Sequence, residues 1–146
     1  MQTREILRIK GGGALYTVTA GATLAEAVGV LVDHDIGSLV VMERGALVGM
    51  LTFSQVLRVI KQSGAAGLES SVAAVMEGQP LSVGPDLDMD GLQRLMLERR
   101  ARYVPVLEGS TLIGVLSFRD VARALLEERE FENQMLKGYI RNWPEE

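Results

Sequence analysis

The sequence predicts an α/β (α+β) fold in which two tandem βαββα repeats are related by a pseudo-twofold axis and followed by a long C-terminal helix. Three observations predict it. Sliding the 146-residue chain by 65 positions lays Gly49 on Gly114 and brings Val18 onto Val83, Val41 onto Val106, Glu43 onto Glu108, Leu47 onto Leu112, Leu51 onto Leu116, Phe53 onto Phe118, Val56 onto Val121 and Arg58 onto Arg123 without a gap. Within each copy, helical and strand periodicities follow one order: strand, helix, strand, strand, helix. Beyond the second copy a helical pattern runs from Arg119 to about Asn142, longer than an ordinary globular helix.

The first element of each repeat is a short extended piece, Tyr16 to Thr19 or Leu81 to Val83. A one-faced helix comes next, marked by Leu24, Ala27, Val28, Leu31 and Val32 in one copy and by Met89, Leu92, Leu95 and Met96 in the other. Two apolar strands then form a hairpin: Leu39 to Met42 with Leu47 to Leu51 around Gly45, and Val104 to Leu107 with Leu112 to Leu116 around Gly109 and Ser110. A closing helix carries Val56, Leu57 and Ile60, or Val121 and Leu125. The repeats are expected at 7–62 and 71–129, the Gly/Ser/Ala-rich stretch 63–70 as a linking loop, and 130–146 as a helical extension. A unit of this size has little core of its own, so the two should pack face to face.

Composition narrows the function. Hydrophobic residues at 47% and charged residues at 23% are those of a globular protein, and a net charge of −4 gives no general field for nucleic acid or an anionic membrane. The absence of cysteine excludes disulfides, thiolate metal sites and cysteine nucleophiles. His34 stands alone, which removes most Ser-His catalysis and any histidine metal cluster; it is expected to be partly exposed at a helix end. Asp86, Asp88 and Asp90 alternate at a helix start without the glycine and distal glutamate of a calcium loop, and are read as capping residues. The first ten residues lack a signal-peptide apolar run and no run is long enough to span a bilayer, so a cytoplasmic location is expected.

The element order, with its hairpin running into Gly114-Val115-Leu116-Ser117-Phe118-Arg119-Asp120, resembles the cystathionine-beta-synthase (CBS) domain pair over nearly the whole chain. The Lys10-Gly11 start and the tail ending Tyr139-Ile140 are similar to stand-alone bacterial CBS-pair proteins of the signal-transduction and IMP-dehydrogenase-related kind. The resemblance implies a regulatory module rather than an enzyme. Such modules hold AMP, ADP, ATP, NAD or S-adenosylmethionine between the repeats and commonly pair into dimers. Under it, Asp120 accepts from both ribose hydroxyls, Ser117 and the helix start meet phosphate, and Arg102 and Arg119 add charge. The base rests on Gly11, Gly12, Gly13, Tyr16, Ile36, Gly37 and Ser38 of the first repeat. Ser117 and Asp120 also have the spacing of an N-capping box, a role compatible with ligand binding for Ser117. Arg99, Arg100 and Arg102 could equally close a helix C-terminus.

The first repeat departs from this pattern: Gln55 stands where Asp120 stands, and a neutral amide cannot accept two hydroxyl protons as a carboxylate does. One strong adenosine site and a weaker second one, around Thr52, Gln55, Met76, Ser82, Val83 and Ala101, are therefore expected. Few local arginines favour AMP or NAD over ATP. Along the tail, Leu125, Phe131, Met135, Leu136, Tyr139 and Ile140 form an apolar face expected to pack on a second copy of the chain. A structural or interaction module with a vestigial nucleotide site is the alternative. The regulated protein itself leaves no mark in the sequence.

Overall fold

The computed structural model describes residues 1–11 and 15–141. It begins with a helix that the repeat analysis did not anticipate. Helix α1 (Thr3–Lys10) starts at a Gln2/Glu5 capping box and stops at Gly11, whose φ of 87° suits glycine. Strand β1 (Thr17–Val18) runs parallel to β2 (Ser38–Glu43), which pairs antiparallel with β3 (Ala46–Thr52). Between β1 and β2 lies α2 (Leu24–Asp33), capped by the Thr23 hydroxyl accepting from the Glu26 N–H at 3.1 Å. Helix α3 (Phe53–Ser63) closes the first unit.

The second unit repeats this plan with α5 (Met89–Arg99), capped by Asp88, then the antiparallel pair β4 (Tyr103–Glu108) and β5 (Thr111–Ser117), then α6 (Phe118–Arg141). The symmetry extends to irregularities. Both hairpins shift register at equivalent points, Val41/Met42 and Val106/Leu107, and both helices α2 and α5 are followed by a left-handed residue, Asp35 at φ 50° and Arg100 at φ 52°. The expected strand Leu81–Val83 shrinks to a bridge between Val83 and Val106, because prolines at 80 and 85 lack the N–H a ladder needs. The stretch read as a loop, 63–70, winds into a 3-10 turn over Gly64–Glu69, and the short helix α4 (Val72–Val75) follows it.

Each unit completes its core with the segment that precedes the other. Helix α1, which precedes the first unit, buries Ile6 (1% exposed) among Met89, Leu92, Met96, Val104, Val106, Leu116 and Val121 of the second. Leu7, the expected start of the first repeat, packs with that same second cluster. Helix α4, which precedes the second unit, buries Val72 (0% exposed) among Leu24, Leu31, Leu39, Val41 and Leu51 of the first. Main-chain hydrogen bonds repeat the exchange in detail. The N–H groups of Thr3 and Arg4 donate to the carbonyls of Leu87 and Pro85 at 2.8 and 2.9 Å, while those of Val72 and Ala73 donate to Ala22 and Ala20 at 2.8 and 2.9 Å.

Two glycines admit the exchanged segments. A Cβ on Gly114 would lie 2.6 Å from the end of the Leu7 side chain. One on Gly49 would meet the Met76 sulfur and, at 2.8 Å, the carbonyl oxygen of Glu77, whose main chain exchanges two hydrogen bonds with Met50. A leucine terminus can turn aside, whereas a hydrogen-bonded backbone cannot. Gly49→Ala is therefore expected to destabilise the fold by about 1–3 kcal/mol, the usual cost of overpacking, and Gly114→Ala by clearly less. Urea unfolding of the two variants checks the order; equal losses would count against it.

Candidate functional site

A cavity of about 890 Å³ opens where α1 and the two units meet, within the size range of small-molecule sites, about 300–1,000 Å³. The first unit lines it with Tyr16, Asp35, Ile36, Gly37 and Ser38, and the second with Tyr103, the β5 main chain at Ile113 to Val115, and Ser117, Arg119, Asp120 and Arg123. From α1 and its end come Arg4, Leu7, Arg8, Lys10 and Gly11. The wall of the first unit follows from its local turns: α2 ends at His34, Asp35 turns left-handed, and the chain enters β2 through Ile36 and Gly37. Gly37 leaves room there for the Tyr103 hydroxyl of the other unit, which a Cβ would displace. Tyr16 is held against the His34 ring, with centroids 3.8 Å apart and planes 19° from parallel. His34 is exposed at its helix end, as its position in the sequence suggests.

Asp120 stands where β5 passes into α6. The Ser117 N–H donates to its Oδ2 at 2.8 Å, and the Asp120 N–H donates to the Ser117 Oγ at 3.0 Å, so the capping box is formed. Lys10 adds a third partner. Its Nζ lies 3.0 Å from Asp120 Oδ2 and donates to the Val115 carbonyl at 2.6 Å. Among the described residues Asp120 Oδ1 carries no hydrogen bond, which leaves that oxygen able to accept from a bound hydroxyl. Burial pushes the Asp120 carboxyl up, but the Ser117 N–H and the Lys10 ammonium together outweigh it and hold the group below the ordinary carboxylate range.

Of the expected site residues, Gly11, Tyr16, Ile36, Gly37, Ser38, Ser117, Arg119 and Asp120 come together around this cavity, while Gly12 and Gly13 lie outside the described residues. Arg102 does not join them. It lines a neighbouring, largely apolar cavity of about 470 Å³ with Met96, Leu97, Ala101 and Phe118, and its carbonyl accepts from the Phe118 N–H at 2.8 Å. Tyr103 and Ser117 border both cavities.

The second group of residues is more dispersed. Gln55 caps α3 as Asp120 caps α6, with its Oε1 accepting from the Thr52 N–H at 2.7 Å and from the Thr52 hydroxyl at 3.2 Å. Met76 packs on Gly49, Val83 is buried in the second core, Ser82 is exposed, and Ala101 lines the apolar cavity. Sequence reasoning did not place Arg4, Arg8 or Lys10 at the site. The available signal was the amphipathic Ile6, Leu7 and Ile9 pattern with a capping box, which marks a helix without saying which unit receives it.

Paired βαββα units with a polar cleft between them define a paired-repeat module. The chain belongs to the CBS domain family, whose sequence pattern matches it twice, at residues 13–62 and 72–127. It is 31% identical over 144 residues to the mitochondrial CBS domain-containing protein CBSX3 of Arabidopsis thaliana, covering 93% of this chain and 70% of that one. Its fold matches the crystal structure of a CBS-domain protein of Agrobacterium tumefaciens with a TM-score of 0.80, at 31% identity, over 85% of this chain and 98% of the other. It also matches CBSX2, solved in complex with AMP, with a TM-score of 0.69, at 26% identity, over 79% and 90% of the two chains. Among the described residues no helix is long and apolar enough to cross a membrane, and no group of acidic or histidine side chains is placed to hold a metal ion.

The depressed Asp120 pKa sets a pH dependence. A carboxyl more acidic in the folded than in the unfolded chain adds stability that is present above its unfolded pKa, about 3.9, and is lost as pH falls through its folded value. Asp120→Asn should therefore be less stable than the wild type at neutral pH, with the gap closing below pH about 4. Urea midpoints measured across that range check it, and a gap that persists unchanged at low pH would sink the assignment.

Proposed function

We propose that this chain is a cytoplasmic sensor that binds an adenosine nucleotide in the cleft between its repeats and passes occupancy to a second copy or to a partner protein. The carrying observation is the single cavity that sets Asp120 and Ser117 of one unit against Tyr16 and Ile36 to Ser38 of the other. Asp120 takes the ribose hydroxyls, Ser117 and the start of α6 take phosphate, and the base rests on the first unit's main chain, with Tyr16 beside it. AMP bound to the structurally similar CBSX2 supports the ligand class. AMP, ADP, ATP, NAD and S-adenosylmethionine all carry the adenosine that this arrangement addresses. The reading is regulatory rather than catalytic.

A ligand that takes both Asp120 oxygens competes with Lys10 for Oδ2, and Lys10 ties α1 to the junction of β5 and α6. Occupancy therefore alters the seat of α1, provided the ligand prefers one of the two arrangements. The same pair gives weight to the second reading, a structural module with a vestigial site, since an internal lysine already pairs with one oxygen of the carboxylate. Calorimetric titration with the five ligands separates them. Asp120→Asn should weaken binding at least about tenfold through loss of a charge-assisted acceptor. If no adenosine compound binds the folded wild type, the vestigial reading replaces this one.

Helix α6 indicates how two copies would meet. It has 24 residues, of which Val121 and Ala124 are buried, while Leu126, Phe131, Met135, Leu136 and Ile140 stand 57–66% exposed. We place a second copy of the chain on this face, because a symmetric pair covers both apolar faces at once. Sedimentation should show a dimer that Met135→Glu/Leu136→Glu converts to a folded monomer. A wild-type monomer at micromolar concentration would overturn this arrangement.

A further inference from the structure

The smaller cavity, of about 470 Å³, is built by the second unit alone. Met96 and Leu97 at the end of α5, Ala101 beyond it and Phe118 at the start of α6 give it apolar walls. Met96 is 1% exposed and belongs to the core of that unit, so the cavity reaches down to packed side chains. Arg100 and Arg102 complete the lining, and both are exposed. Neither forms an ion pair or a side-chain hydrogen bond among the described residues. Closing the helix does not occupy them either, because the carbonyls of Met96 and Leu97 accept from the main-chain N–H groups of Ala101 and Arg100 at 2.9 and 3.3 Å.

The internal repeat separates what folding needs from what this cavity adds. A shift of 65 residues lays Leu31 on Met96, Val32 on Leu97 and Phe53 on Phe118, but Asp35 on Arg100 and Gly37 on Arg102. The apolar walls therefore have counterparts in the first unit, whereas the two guanidinium groups have none. Arg100 even stands at φ 52°, a conformation in which glycine, asparagine and aspartate are the usual residues. Apolar walls beside two unpaired cations suit a molecule with a hydrocarbon body and an anionic head: the body displaces water from Met96 and Phe118, and the head joins like charges that otherwise repel. We propose that this cavity binds a single-chain aliphatic carboxylate of the fatty-acid class, with its chain over Met96 and Phe118 and its head between Arg100 and Arg102. A carboxylate matches the planar N–H fork of a guanidinium in pairs of hydrogen bonds. The site stands independently of the adenosine reading.

Calorimetry on the full chain with octanoate, decanoate, dodecanoate and decanol, each below its micelle-forming concentration, tests the proposal. Carboxylate affinity should rise at least about threefold with each added pair of methylenes, because the chain is what the apolar walls bury. Decanol should bind at least about tenfold more weakly than decanoate, and Arg100→Gln/Arg102→Gln should erase that difference, with circular dichroism to verify folding. In methyl NMR spectra decanoate should shift the signal of Met96 and leave that of Met135, on the exposed part of α6, in place. Absence of saturable decanoate binding, equal affinities for decanol and decanoate, or an undiminished preference in the double variant overturns the proposal. A shift at Met135 in place of Met96 overturns it as well, by moving the ligand to the tail. If the carboxylates fail to bind while the double variant sediments as a monomer and the wild type as a dimer, the face belongs to a second copy of the chain and the proposal falls.

Discussion

The structure depends on an exchange of leading segments. Neither βαββα unit closes its own core: Ile6 arrives from α1 to seal the second, and Val72 arrives from α4 to seal the first. The cost of leaving either seat empty is large, since removing a buried aliphatic side chain of this size typically costs about 2–5 kcal/mol. Pseudo-twofold symmetry follows, because the two seats are built alike. Leu7 lies against Gly114 and Met76 against Gly49, in glycine gaps that occupy equivalent strand positions.

The same exchange creates the polar cavity. Because α1 packs on the second unit, its charged face, with Arg4, Arg8 and Lys10, borders the junction of β5 and α6, where Asp120 caps the helix. A carboxylate serving only as a cap would need no cation. Here the ammonium of Lys10 bridges Asp120 and the Val115 carbonyl, so one side chain joins the N-terminal helix to both elements that frame the site. The first unit lacks this arrangement, since Gln55 spends its amide oxygen on Thr52. Shared packing has thus been kept while the chemistry of the two junctions differs.

Much of the fold was legible because the repeat is gapless and its apolar periods are local. Both hairpins, both central helices and the long α6 fall where alternation and helical spacing put them, and the register shifts recur 65 residues apart. The core of the site was legible too: a serine and an aspartate three residues apart at a strand-to-helix junction carry their own capping geometry. What the sequence hid is non-local. Nothing in the pattern of Thr3 to Lys10 says that this helix serves the distant unit, so the basic lining of the cavity was invisible. Arg102 lies beside the site rather than around its cavity. Its carbonyl accepts from the Phe118 N–H across the hairpin, and it lines the neighbouring apolar cavity. The 81–83 segment kept only one bridge because flanking prolines outweigh its apolar character.

The exchange also bears on how the protein comes into being on the ribosome. Helix α1 is translated before either unit, yet its seat among Met89, Leu116 and Val121 is made only with the second. The first unit, by contrast, can close once α4 has been translated. Synthesis therefore leaves a basic, amphipathic octapeptide waiting unseated until the second unit has been translated. The cavity is completed only when that earlier helix docks onto the later unit.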